Sequence, residues 1–425
     1  MAARFARLLR ALPGDDDAAP RGWLVPGRIE VLGKHTDYAG GRSLVCTAER
    51  GIAILMRPRS DSRVRIADVA AQSIFDADIT AARHTHADDW FVYPSTVIRR
   101  VTQNFPAARR GFDAVFDSDL PSAGGLSSSS ALMIAVLRAL AVSNDLEATD
   151  IWRAELSTCE GLAGYAAAIE NGQSFGSLAG DHGVGTSGGS EDHVAILCAR
   201  SGELSQYVFN PIRCEERVPF PEHLTFAVGV SGVHAHKTGN AMAQYNRAAR
   251  LARRALEHWN RQAGRTDASL AAATFECTAQ VVREVLSQAP DPEFTAHELL
   301  QRFDQFVEES EQLVPAAARQ LRAADIAGFA ETVARSQQLA RDTLGNQVPE
   351  TSALVTFALD TGALAASAFG AGFGGSVWAL VPAVDASSFL ARWRNVYHRQ
   401  YPGRAEGSSF FLTRPGPAAY EVKVP

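Results

Sequence analysis

Residues 120–132 read LPSAGGLSSSSAL and lead into the run ALMIAVLRALAV. That run is apolar on nearly every side, so it predicts a helix buried all round rather than one lying on a surface. Before it, FDAVFDSDLP alternates, with Phe112, Ala114 and Phe116 on one side, which predicts a strand. Strand, glycine turn and buried helix in succession demand layers of structure on both sides of that helix. Gly124 and Gly125 let the backbone turn tightly and approach a ligand closely. The serines open the helix, where free N–H groups and the positive end of the dipole make an anion site. Residues Ala123, Gly124, Gly125, Leu126, Ser127, Ser128 and Ser129 are therefore candidate phosphate contacts, and serine hydroxyls can also ligate Mg²⁺. The same residues would also suit an ordinary serine cap after a glycine turn. No Lys follows the second glycine, so this is not a Walker A loop. HRD and DFG are absent, which excludes a protein kinase.

The chain has the bulk to bury such a helix: 425 residues, 46% hydrophobic and 21% charged, which predicts two or three domains. That composition excludes disorder, a collagen-like chain or a disulfide scaffold. No stretch approaches the apolar length of a membrane span. MAARFARLLRALPG is an amphipathic opening helix rather than a secretory signal. With 41 basic and 47 acidic residues the net charge is −6, and no basic run suggests a nucleic-acid partner. The five cysteines (Cys46, Cys159, Cys198, Cys214, Cys277) are scattered with no CxxC pair, which fits buried thiols in a reducing cytoplasm.

Helical and strand patterns mix irregularly, which favours α+β over a doubly wound sheet. WLVPGRIEVLG, LVCTAERGIAILMRP, LTFAVGVSG and SSFFLTRPG read as strands, and SAFGAGFGGSVWALVPAV as strand–turn–strand. IWRAELSTCEGLAGYAAAIEN reads as a single helix, Met242 to about Gln262 as a long one, and 270–350 as mostly helical. VPFPEH breaks the pattern at Pro219–His223, a candidate boundary. The glycine-rich stretch 176–193 is long for an ordered loop, which marks it as functional. Gly370, Gly372 and Gly375 satisfy G-x-G-x-x-G, but a strand-like run follows at once where a dinucleotide fold needs a helix.

Near the start, PGRIEVLGKHTDYAGG packs Arg28, Lys34, His35 and Asp37 among glycines. Such a turn can hold a polyhydroxylated ligand, with Asp accepting and His and Lys donating. A surface turn closed by a salt bridge would look the same. His35 and Asp37 alone give too few ligands for a metal site.

Together the three motifs resemble the GHMP small-molecule kinases, and the galactokinase branch in particular. GRIEVLGKHTDYAGGRSL is similar to the galactokinase signature G-R-x-N-L-I-G-E-H-x-D-Y. LPSAGGLSSSSAL resembles the ATP phosphate loop, and GAGFGGSVWAL the third family motif. The resemblance implies a ribosomal-S5-like N-terminal domain (1–220), a ferredoxin-like C-terminal domain (221–425), and a site between them. It implies transfer of the ATP γ-phosphoryl group to the anomeric hydroxyl of a hexose, with Mg²⁺. The catalytic carboxylate maps to Asp192 in GGSEDH, with Asp181 as the alternative. Asp192 carries the corollary of an insertion of about ten residues, AGDHGVGTSG, just before it. Arg28 would stabilise the transferring group and hold Asp192. The Mg²⁺ ligands map to Glu170 and Ser129, with Ser128 a neighbouring possibility, and the sugar contacts to Lys34, His35, Thr36, Asp37 and Tyr245.

The chain departs from the family at three of these positions. Glu30 stands where the pattern has Asn, His193 where it has Gln, and Lys34 where it has a Glu that accepts from a sugar hydroxyl. A Lys there can only donate, so the substrate is either a neutral hexose such as galactose or a uronic acid such as galacturonate held by Lys34. A non-catalytic sugar- and ATP-sensing protein on the same fold is the third reading. Of the remaining features, His84 and His86 suit a polar loop, His234 and His236 align with a family loop near the sugar, and Trp90, Trp259 and Trp393 suit cores. Oligomeric state is left open.

Overall fold

Two sheets, drawn mainly from different halves of the chain, form the frame. The computed structural model describes residues 2–13, 18–80, 90–122, 124–233, 240–288 and 290–424. The first sheet holds β1 (Arg21–Leu32), β2 (Arg42–Pro58), β3 (Arg63–Asp68), β4 (Ser73–Asp78), β5 (Phe112–Ser118), β6 (Glu203–Val208) and β7 (Arg213–Pro219). The second holds β8 (Leu224–Val230), β9 (Ala365–Phe369), β10 (Ser376–Pro382) and β11 (Ser409–Thr413). A short last strand, β12 (Tyr420–Val422), returns to the first sheet beside β1. The first sheet runs β12-β1-β2-β5-β3-β4, with β6 and β7 continuing from β2, and the second runs β11-β8-β10-β9. Pairing is antiparallel except for β3 with β5. Helices and mostly antiparallel sheets make the class α+β. Between Pro219 and Leu224 the chain leaves the first sheet for the second.

Alternation along the strands decides what packs on each face of the first sheet. Leu24, Ala53, Leu55 and Val115 face the opening helix Ala2–Ala11, which buries Phe5 and Leu8 against them. Trp23, Val25, Ile54 and Met56 face the other way, into the main core. There lies the helix Ser128–Ser143, buried from Ser130 to Leu137 without a break. Among the described residues no helix is long and apolar enough to cross a membrane.

The segment read as one helix over 151–171 is two. A wide turn over Trp152–Leu156 ends, and Cys159–Asn171 starts afresh with the Thr158 hydroxyl accepting from the Gly161 N–H. A side chain at Gly161 would meet the Glu155 carbonyl at 2.3 Å, so glycine permits the break. The strands β4, β7 and β12 escape sequence reading because they are short and largely exposed or half-exposed, with weak apolar patterns, and β3 because its alternation, with Val64 and Ile66 buried, spans only a few residues.

Candidate active site

The glycine–serine loop, β1, the helix Glu191–Cys198 and the turn between β9 and β10 enclose a cavity of about 530 Å³. That is the size of a small-molecule site.

Arg28 joins its parts. Its backbone N–H donates to the Leu126 carbonyl at 3.1 Å, and its Nη1 donates to the Gly125 carbonyl. Its Nε donates to Asp192 Oδ1 at 2.7 Å, with Glu191 Oε1 3.6 Å away. Burial disfavours the guanidinium charge, but Asp192, Glu191 and Glu30 outweigh that and hold it protonated. Gly27 permits the approach, since a Cβ there would lie 2.8 Å from the Leu126 oxygen.

Asp192, at the start of its helix, lines the cavity. Asp181 does not: it is held by Arg99 at 2.8 Å and by the Gly183 N–H at 2.9 Å. Ser130 Oγ donates to Glu170 Oε2 at 2.7 Å and lies 3.5 Å from Asp192 Oδ2, while His193 Nε2 sits 3.1 Å from Glu170 Oε2. Sequence reading stopped at Ser129, which lines the cavity, and missed Ser130, the serine bonded to Glu170. The signal was available: Ser130 is the last serine before the fully buried run. Ser127 is left-handed, at φ 58°, and its buried Oγ has no partner among the described residues. An oxyanion beside this helix start would satisfy it.

The first motif splits across two sides. His35, Asp37 and Tyr245 line the cavity, with the His35 and Tyr245 rings 5.3 Å apart. Asp37 accepts from the Tyr38 and Glu191 N–H groups at 2.8 and 3.2 Å, and burial raises its pKa against their effect. Burial, then the Arg302 charge, lowers the His35 pKa to about 4, so the imidazole is neutral. Its Nε2 then donates to the Ala371 carbonyl at 3.1 Å, and Nδ1 accepts from the Tyr38 hydroxyl at 2.9 Å.

Lys34 and Thr36, expected as sugar contacts, are placed outside the cavity lining. Left-handed backbone at Gly33 and His35 throws successive side chains to opposite sides. Lys34 is fully buried and its Nζ donates to Ser336 Oγ at 3.1 Å; Ser336 in turn donates to Glu309 at 2.8 Å. Thr36 Oγ1 closes the turn on the Gly33 and Arg42 carbonyls. Glu30 does line the cavity. Burial raises its pKa, with Lys34 and Arg28 pulling it back, and its Oε1 has no partner among the described residues.

The glycine-rich stretch forms wall, through Thr186, Gly188 and Gly189. It is tied down by Val184 N–H to the Glu170 carbonyl at 2.8 Å and Ser187 N–H to Asn246 at 2.9 Å. The glycine turn at 370–375 leads into β10, not a helix, and Ser376 Oγ donates to the Gly124 carbonyl. The lining also includes an aromatic set. Trp90, expected in a core, does pack half-buried against the main core and also lines the cavity with Tyr93 and Phe116, while Trp259 and Trp393 are core residues. Ala123, His84, His86, His234 and His236 lie outside the described residues.

The pattern for the GHMP kinases N terminal domain matches residues 92–200, and that for the GHMP kinases C terminal matches 317–399. The chain belongs to the GHMP kinase family. Within it, the galactokinase galactose-binding signature matches residues 14–58. A galactokinase from Chloroflexus aggregans is 29% identical over 374 residues, covering 86% of this chain and 85% of its own. One from Actinobacillus pleuropneumoniae serotype 5b is 26% identical, covering 84% of each. The fold matches the structure of Lactococcus lactis galactokinase complexed with galactose at a TM-score of 0.78 and 22% identity, covering 99% of this chain and 98% of that one. It matches a mevalonate kinase at 0.56 and 12% identity, covering 92% and 98%.

Proposed function

We propose that this chain is an ATP-dependent sugar kinase of the galactokinase type, phosphorylating the anomeric hydroxyl of galactose or a close neutral hexose in the cytoplasm. The observation that carries this is the Arg28–Asp192 pair, held in one cavity between the glycine–serine loop and the sugar motif. Phosphoryl transfer spreads negative charge over the moving group, so positioning and charge compensation dominate. Arg28 faces that charge and orients Asp192. Asp192 accepts the proton of the sugar's anomeric hydroxyl, or orients that hydroxyl. The loop from Gly124 to Ser129 receives phosphate oxygens, and Ser127 Oγ gains the partner it lacks. The aromatic set takes the adenine. Asp37, His35 and Tyr245 receive the sugar hydroxyls, and Glu30 supplies a further acceptor.

Glu170, Ser130 and Asp192 offer only hard oxygen donors, a set that fits Mg²⁺, with Ser129 nearby. Glu170 and Ser130 would hold the ion, which when bound offsets phosphate charge. In this reading residues 1–220 form the N-terminal domain and 221–425 the C-terminal one, with β12 crossing back. The uronic-acid reading rested on Lys34, whose Nζ is bonded to Ser336 outside the cavity lining.

The test is ATP consumption with Mg²⁺ against galactose, galacturonate, glucuronate, arabinose and fucose, with Asp192→Ala as control. Turnover on galactose, lost in the control, is expected. Turnover on a uronate alone would overturn the neutral-hexose reading. Binding of sugar and ATP without turnover would replace the kinase by a sensor.

A further inference from the structure

Two of the cysteines come together away from the cavity. Cys159 begins the helix Cys159–Asn171 and is exposed; Cys198 ends the helix Glu191–Cys198 and is buried. Their Sγ atoms and a carboxylate oxygen of the half-buried Glu160 all lie within 4.8 Å of one another. The Cys159 thiol donates to Glu160 Oε2 at 3.1 Å. None of the three lines the cavity.

We propose that Cys159, Cys198 and Glu160 form a binding site for a thiophilic divalent cation of the Zn²⁺ and Cd²⁺ class, with one coordination position open to solvent. Two thiolates about 2.3 Å from a tetrahedral zinc stand roughly 3.8 Å apart, within the observed span. The carboxylate is the third donor, and the exposure of Cys159 gives the ion a way in. Cys159 also sits where helix N–H groups favour a thiolate. Its neighbour Cys198 lowers the Cys159 pKa, while that contact and burial raise the Cys198 pKa. Binding exchanges protons for metal: two thiols and one M²⁺ give a bis-thiolate complex and two H⁺. The surroundings hold Cys198 in place, since Arg217 Nη2 donates to its carbonyl at 3.1 Å and to the Tyr207 hydroxyl at 3.2 Å. A disulfide would need the sulfurs to close to about 2.05 Å and would give Glu160 no part. An ion here would fasten the ends of two helices whose opposite ends carry Glu170 and Asp192.

The experiment titrates the reduced full chain with Cd²⁺ alone, without ATP or sugar, in metal-free buffer. Sulfur-to-cadmium charge-transfer absorbance, calorimetry and proton release are followed. One ion per chain with a thiolate band and a raised Tm is expected. Cys159→Ser, at an exposed position, should fold normally, lose the band and bind roughly 100-fold more weakly. Cys198→Ala, checked by circular dichroism, should do the same, and Glu160→Gln should weaken binding about tenfold. The proposal is overturned if wild type shows no band, if the band survives Cys159→Ser, or if the two thiols vanish reversibly as a disulfide without taking up metal.

Discussion

The cavity lining combines a charged set, Arg28, Asp37, Glu170 and Asp192, with an aromatic set, Trp90, Tyr93 and Phe116. In the charged set each side chain is held by named hydrogen bonds. In the aromatic set, rings pack edge to face, as Trp90 and Phe116 do at 5.3 Å, and offer area rather than charge. The two sets should therefore fail differently. A loss from the charged set removes stabilisation made in the transition state and lowers kcat. A loss from the aromatic set removes binding common to ground and transition states and raises KM.

The largest break should come from Asp192→Asn, which keeps the shape and removes the charge. Turnover should fall about 10²- to 10⁴-fold with sugar KM little changed, read by coupled ATP consumption. A fall in affinity alone would erase the contrast. Trp90→Ala should cost roughly 1–3 kcal/mol of nucleotide binding, seen as a raised KM for ATP at nearly constant kcat.

Acid stability sharpens the comparison further. His35 has a folded pKa of about 4 against an ordinary value near 6.5. Between those values the unfolded chain binds the proton and the folded chain does not, so stability falls as pH drops from about 6.5 to about 4, by about 3 kcal/mol. Urea unfolding at pH 5 and 7.5 should show about 2 kcal/mol of this loss in wild type and less of it in His35→Gln. Glu30 works the other way. Its raised pKa costs stability as pH rises above the ordinary carboxylate range, so Glu30→Gln should gain most at high pH.

The smallest effect on the sugar is expected from Lys34→Met. Its Nζ does not face the cavity, so KM should stay within about threefold. The Tm should drop, because Glu30 loses an offsetting cation. A large rise in sugar KM would return Lys34 to the substrate.

Much of the charged set was legible in the sequence. Gly124, Gly125 and the serine run announce a turn and a helix start, and Arg28 to Asp37 announce polar chemistry on a tight turn. Asp192 is favoured over Asp181 by the Gly and Asp spacing of GGSEDH and by the spacing to the LTFAVGV strand, and the fold places it beside Arg28, 164 positions away. The aromatic part of the lining was not legible, because a tryptophan packed on the core reads the same whether or not its other face lines a cavity. Ser130, by contrast, was legible as the serine that adjoins the apolar run.

What the sequence by itself determined is local. Glycines allow left-handed turns, serines end in an apolar run that must be buried, and alternation assigns each face of β1, β2 and β5. These follow from sterics and burial over a few residues. The tertiary structure alone decided which distant groups meet: Arg28 with Asp192, Ser130 with Glu170, Cys159 with Cys198, and Lys34 with Ser336 instead of the cavity. Such meetings depend on how helices and sheets pack, and close packing is settled by the whole chain at once.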